Sequence, residues 1–173
     1  MGFDFRFRYV EDKKDRGKLA KFLESQSLSY PNYGDWINRT MADLDSGYKR
    51  SIIALSNGVL VGDCVFQPHK QFPRIREVKN LRVHPNLRGR YFGVFMLKQA
   101  EVENRGEYDA IIAEIRSNQS EIIEMVRFCG YTELARIPLY ESHLEEVVMV
   151  RTFERTPTGM FEPVKKSLLA SAA

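Results

Sequence analysis

One stretch constrains this chain more than any other: the change of hydrophobic period between Val78 and Glu101. Leu81 and Val83 alternate with polar residues, as in a strand with two unlike faces. Pro85 ends that strand, because it brings no N–H to a ladder. Arg88, Gly89 and Arg90 follow as a short loop with two cations and one permissive backbone position. From Gly93 the period becomes helical, with Gly93, Met96, Leu97 and Ala100 on one face. A basic, glycine-containing turn that opens a helix suits an anion. First-turn N–H groups lack intrahelical partners, and the macrodipole adds partial positive charge. A phosphate or pyrophosphate is the natural guest. The plain alternative is a surface loop with chance arginines, since short glycine patterns are common.

The segment from Leu81 to Gly93 (LRVHPNLRGRYFG) resembles the acyl-CoA pyrophosphate loop of GNAT-type N-acetyltransferases. The family pattern there is Arg or Gln, two residues, Gly, one residue, then Gly or Ala, just ahead of a helix. Arg88 matches the first position and Gly93 the last, whereas Tyr91 stands at the middle glycine. A second echo runs from Asn118-Gln119-Ser120 to Phe128-Cys129-Gly130-Tyr131, like the family's later helix, which ends in Gly and an aromatic residue. The resemblance covers about residues 5–153. It implies a GNAT-like domain that uses acetyl-CoA as co-substrate, with Leu81, Arg82, Val83, Arg88, Gly89, Arg90, Tyr91, Phe92 and Gly93 as the cofactor-binding residues.

The rest of the chain predicts the order β-α-α-β-β-β-α-β-α-β-β. Phe3, Phe5 and Phe7 alternate with charged residues as a half-buried strand. Asp12 or Asp15 caps a helix whose stripe is Leu19, Phe22 and Leu23. Asp35 reads as the N-cap of a second helix with Ile37, Met41 and Leu44, and Trp36 reads as core. Asn57-Gly58 marks a tight hairpin between Ser51–Leu55 and Val59–Phe66. Arg74–Val83 is the central strand. Asp109–Arg116 follows a strand and a helix, so it is expected parallel to the central strand, through a right-handed crossover. Asn118 with Glu121 is a capping pattern ahead of an apolar stripe of Ile122, Met125, Val126 and Cys129, and Gly130 stops that helix. A final hairpin ends near Phe153. The fold class is therefore α+β: a mostly antiparallel sheet of about seven strands with one parallel β-α-β step and about four helices. Residues 154–173 form a C-terminal tail outside the pattern, open to reading as a docked tail, a dimer arm or a disordered segment; a homodimer stays among the readings.

The resemblance implies that the pantetheine arm runs along the strand ending at Val83, where backbone N–H groups bond the thioester carbonyl. The acceptor amine must be neutral to attack, and an alkylamine has a pKa near ~10.4, so a base is needed. Glu77 is the candidate, six residues before Val83, at the spacing of the glutamate base in histone-type members. Its alternative is an ordinary surface carboxylate pairing with Arg74, Arg76 or Lys79. Side-chain parity groups Glu77 with Leu81 and Val83 unless a bulge intervenes. Glu114 is the reserve candidate, or a group that fixes a cationic substrate. The family's thiolate-protonating tyrosine falls on Val126 here, so no general acid is assigned.

Composition bounds the alternatives. The chain has 173 residues and a net charge of +3, which suits an anionic cofactor without demanding nucleic acid. His69, His84 and His143 lack ligand spacing, so no metal is expected. Cys64 and Cys129 read as reduced thiols of a cytoplasmic protein, and no apolar run approaches the ~20 residues of a membrane span. The leading expectation is an N-acetyltransferase acting on a small-molecule amine, a peptide or an aminoacyl-tRNA by direct attack in a ternary complex. A second reading is an acyl-CoA-binding protein with weak or lost chemistry. A third is a nucleic-acid-binding module using Arg74, Arg76, Lys79, Arg82, Arg88 and Arg90; it ranks last because stacking aromatics are few in that run.

Overall fold

Residues 4–26, 30–103, 106–155 and 161–163 are described in a computed structural model. Their elements follow the expected order. They are β1 (Phe5–Tyr9), α1 (Lys13–Glu24), α2 (Tyr33–Asp45), β2 (Arg50–Ser56), β3 (Val59–Pro68), β4 (Ile75–Val83), α3 (Phe92–Val102), β5 (Ala110–Arg116), α4 (Ser120–Phe128), β6 (Thr132–Glu141) and β7 (Leu144–Arg155). A 3-10 turn at Pro85–Leu87 precedes α3, and a short β8 (Phe161–Pro163) pairs antiparallel with β7. Pairing is antiparallel in β1–β2, β2–β3, β5–β7 and β6–β7, and parallel in β4–β5, the single β-α-β step. The chain forms two compact units, one of residues up to Gln67 with Lys79–Ala100, the other of Pro68–Val78 with the residues from Glu101 onward.

The first unit carries strands in the order β1-β2-β3-β4. Its core is Leu19, Phe22 and Leu23 of α1, Ile37 of α2, and Ile53, Leu55, Leu60 and Val65 of β2 and β3, with Trp36 packed against them as expected. Asp12 caps α1, its Oδ1 accepting from the Asp15 N–H at 2.7 Å. Asp15 itself is buried against the Arg8 guanidinium, whose hydrogen bond holds its carboxyl below the usual carboxylate range. The Asn57-Gly58 turn has both residues at positive φ, 50° and 79°, as a two-residue hairpin loop requires. At Gly62 a Cβ would stand 2.8 Å from Met96 Sδ and 3.1 Å from the Arg82 carbonyl, so a larger residue there would require Met96 of α3 to shift and the Arg82 backbone of β4 to give slightly. Phe7 packs at a tilt against Phe95, with ring centroids 4.5 Å apart, and Phe5 against Phe92 at 5.1 Å, which ties the first turns of α3 to β1.

The second unit carries strands in the order β4-β5-β7-β6. One face is apolar: Ile111, Ala113 and Ile115 of β5 and Val147 and Met149 of β7 are buried. Tyr108 packs edge-on against Phe153. Gly130, at φ 89°, ends α4, with the Tyr131 N–H closing on the Val126 carbonyl.

Several local expectations are corrected. The N-cap of α2 is Asn32, held at φ 56°, and Asp35 falls in the first turn. Gln119, not Asn118, precedes α4, without a side-chain cap bond. The inward stripe of α4 is Ile123, Val126 and Cys129; Ile122 is exposed, because the helix presents the face one residue further on. β3 continues two residues past Phe66, to Pro68. In β4 the alternation fails, since neighbouring Arg76 and Glu77 are both buried. Phe3 lies outside the described residues, and so does the tail apart from its first two residues, which end β7, and β8.

Candidate active site

In the first unit the loop of residues 88–91 leads straight into α3. Arg88, Gly89 and Arg90 are exposed. Gly89 sits at φ 69°, and nothing lies within 4 Å of where its Cβ would be. Tyr91 has φ 60°, a left-handed conformation that glycine adopts freely and other residues adopt at a cost. The sequence departs from the family glycine at this position, but the backbone keeps a glycine's conformation. The Tyr91 ring is 72% exposed, and its carbonyl accepts the first helical bond from the Phe95 N–H at 2.9 Å. The N–H groups at the start of α3 therefore point out of the helix end behind an open, cationic loop. This backbone fits a pyrophosphate. Arg88 also bonds the Val83 carbonyl through Nε at 3.3 Å, which ties the loop to the end of β4.

Arg82, the residue before Val83 at the end of β4, is half-buried, and its positive charge opposes the upward shift that burial gives both Tyr33 and Asp63 of β3. Asp63 is fully buried; its Oδ2 accepts from Asn80 Nδ2 at 2.5 Å and its Oδ1 has no hydrogen-bond partner. Burial pushes its carboxyl up to about 7, against the opposing pull of Asn80 and Arg82.

In the second unit Glu77 is 8% exposed, so it is not the ordinary surface carboxylate of the bland reading. Its Oε1 lies 3.5 Å from Nε2 of His69. His69 Nδ1 accepts from the backbone N–H groups of Gln71 and Phe72, at 3.1 and 3.2 Å. The ring's own proton therefore sits on Nε2, facing Glu77. Glu114 accepts from the Tyr140 hydroxyl at 2.7 Å. Neither His69 nor the Tyr140–Glu114 bond was legible in the sequence. His69 lies in what reads as a connection, eight residues before Glu77, and Tyr140 meets Glu114 only through strand order.

The basic run of the nucleic-acid reading is not a surface stripe. Arg74 makes a paired contact with Asp109, at 2.7 and 2.5 Å. Arg76 is buried, stacked 4.1 Å over Tyr108 and donating to the Glu103 carbonyl. Among the described residues no cluster of His, Cys, Asp or Glu has metal-site geometry, and no helix is long and apolar enough to cross a membrane.

The comparisons agree with this geometry. Residues 19–131 match the family model described as the acetyltransferase (GNAT) family. The chain belongs to that family: it is an acetyltransferase, and acetyl-CoA is its co-substrate. Among solved structures, a GNAT-family protein from Desulfovibrio desulfuricans aligns with a TM-score of 0.77 at 13% identity, over 86% of this chain and 99% of its own. A Salmonella typhimurium protein solved with acetyl-CoA aligns at 0.67 and 17%, over 90% and 98%. The ribosomal-protein-S18-alanine N-acetyltransferase from Escherichia coli aligns at 0.68 and 16%, over 95% and 96%. At these identities the likeness is one of fold. No curated protein matches the chain in sequence.

Proposed function

We propose that residues 5–153 form an acyl-CoA-binding domain that transfers an acetyl group to a primary amine by direct attack in a ternary complex. In this reading the start of α3 and Arg88 hold the pyrophosphate, and Glu77 is the general base. The amine nitrogen bonds to the acetyl carbon, the C–S bond breaks, and the sulfur leaves as thiolate. The amine's proton passes to Glu77 and on to solvent. A thiol of pKa ~8.5 leaves near neutrality without a dedicated acid, so Val126 at the usual tyrosine position does not block turnover. His69 keeps Nε2 3.5 Å from Oε1 of Glu77 and so helps to position the carboxylate that takes the proton.

The observation that carries this reading is Glu77 itself: a carboxylate inside the protein, faced by an imidazole whose tautomer the backbone sets. The reduced, buried thiols of Cys64 and Cys129 support a cytosolic setting. The test is release of free CoA thiol from acetyl-CoA against a panel of primary amines, peptides and aminoacyl-tRNA. Amine-dependent release is expected. Tight acetyl-CoA binding with no release for any acceptor would favour the ligand-binding reading instead.

A further inference from the structure

The edge strand of the first unit is β1, and among the described residues its one neighbouring strand is β2. The ladder fixes which way the backbone of β1 points. The Val10 N–H bonds the Ser51 carbonyl at 3.0 Å, and the Asp4 carbonyl accepts from the Asn57 N–H at 3.0 Å. Alternate residues of an antiparallel strand turn their polar groups to the same side. Asp4, Arg6, Arg8 and Val10 therefore bond toward β2, and Phe5, Phe7 and Tyr9 turn their N–H and C=O groups away from it. β1 keeps one register from Phe5 to Tyr9. β6, the edge strand of the second unit, is instead interrupted by two register shifts and by Pro138. A regular edge strand is a template for another strand, whereas bulges and proline blunt one.

The side chains make that template self-complementary. Phe5 and Phe7 lie on the α3 face, where their rings meet Phe92 and Phe95. Asp4, just before β1, and Arg6 lie on the other face, paired at 2.9 Å, with side chains 52% and 72% exposed. A second copy adding its β1 antiparallel about a two-fold axis can place that axis at Phe5, Arg6 or Phe7. At Arg6, the cation faces itself. At Phe7, Arg6 faces Arg8 of the second copy, and Phe5 faces Tyr9, whose carbonyl already accepts from Arg8 Nη1 at 3.0 Å. At Phe5, Asp4 faces Arg6 of the second copy and Arg6 faces its Asp4, so both pairs set acid against base. Opposite charges across strands stabilise the pairing, and like charges destabilise it. An exposed ion pair within one chain is worth little, so its members are available to a second copy.

We propose that β1 is a docking edge for a second copy of this chain, which adds its own β1 antiparallel with the two-fold axis at Phe5. The occupant is a second copy because the order acid, aromatic, base from Asp4 to Arg6 is matched by the same segment run in reverse. On the α3 face the two Phe5 rings meet across the axis, and the aromatic cluster of each copy extends the contact. Phe5 and Phe95 of that cluster are 37% and 46% exposed in the single chain, the apolar surface such a contact covers. The inference stands apart from the transferase reading, since neither Glu77 nor the basic loop enters it.

The test is sedimentation of the full chain and of charge-reversed variants. The wild-type chain should dimerise. Asp4→Arg sets cation against cation at both symmetric pairs, and Arg6→Asp sets acid against acid. Each variant alone should therefore weaken the dimer by about tenfold or more in Kd. An equal mixture of the two should recover a heterodimer, because acid again faces base, and the double variant Asp4→Arg/Arg6→Asp should recover a homodimer. A second readout does not depend on those variants. Phe5→Cys should form a disulfide-linked dimer under mild oxidation, since residues on the axis oppose themselves with Cα atoms ~5.5 Å apart. Val59→Cys, exposed on β3, should not. A monomeric wild-type chain overturns the proposal. So does a dimer that survives both single reversals, a mixture that fails to recover it, or Phe5→Cys chains that cross-link no faster than Val59→Cys.

Discussion

The basic loop of the first unit and the buried carboxylates of the second, to which we assign separate roles in the proposed reaction, are built in opposite ways. The loop is contiguous: six residues from Arg88 to Gly93 supply the cations, the left-handed backbone and the helix end. The acids are assembled from distant segments: Glu77 meets His69 across a connection, and Glu114 meets Tyr140 only because β5, β7 and β6 pair in a fixed register. A local site can absorb a sequence departure that keeps the backbone, and Tyr91, at φ 60°, keeps it. An assembled site depends on strand order, which no single segment announces.

That contrast can be broken from the side of the first unit, because it too contains an assembled polar group. Asp63 has its carboxyl raised from an ordinary 3.8 to about 7. The folded state thus binds its proton more tightly than the unfolded chain, so stability falls as pH rises from about 4 to about 7 and stays lower above that. Asp63→Asn removes the titration and can still pair with Asn80. Relative to wild type, the variant should gain stability across that window, by as much as about 4 kcal/mol, measured by urea unfolding at each pH. A difference that stays flat with pH would show that Asp63 ionises normally.

A smaller effect sharpens the contrast at the loop. Arg88→Glu removes a cation and adds repulsion, so calorimetry should show acetyl-CoA binding weakened by about 100-fold. Because Arg88 is exposed, the melting temperature should hardly move. Equal affinity in both proteins would mean the pyrophosphate does not rest on this loop. The smallest effect is at Tyr91. Tyr91→Gly relieves a left-handed tyrosine but adds chain entropy to the unfolded state, a net gain of ~0.5–1 kcal/mol. Acetyl-CoA affinity should change only a few-fold. A large gain in affinity would show that the exposed ring obstructs the loop.

The fold was legible because its signals are local and agree with one another. The period change at Gly93, the Asn57-Gly58 turn and the Gly130 stop each fix one boundary, and their order fixes the topology. Helix starts read less well, since Asn32 and Gln119 precede their helices without forming the side-chain bond that a capping rule looks for. The loop was readable in its residues, but the left-handed state of Tyr91 was not, because a tyrosine rarely signals it. Glu77 was legible only through spacing. Its burial and its imidazole partner depend on a turn in which His69 Nδ1 captures two backbone N–H groups, a tertiary detail without a residue pattern.

The central claim is that Glu77 removes the amine's proton for transfer from acetyl-CoA, and kcat against pH for Glu77→Gln tests it most directly. The account predicts a loss of ~10²–10⁴-fold near neutrality with acetyl-CoA affinity retained, and a loss that shrinks as pH rises toward the amine's own pKa of ~10.4. A variant with wild-type kcat from about pH 6 to about pH 9 would contradict it and leave Glu77 as a buried structural partner of His69.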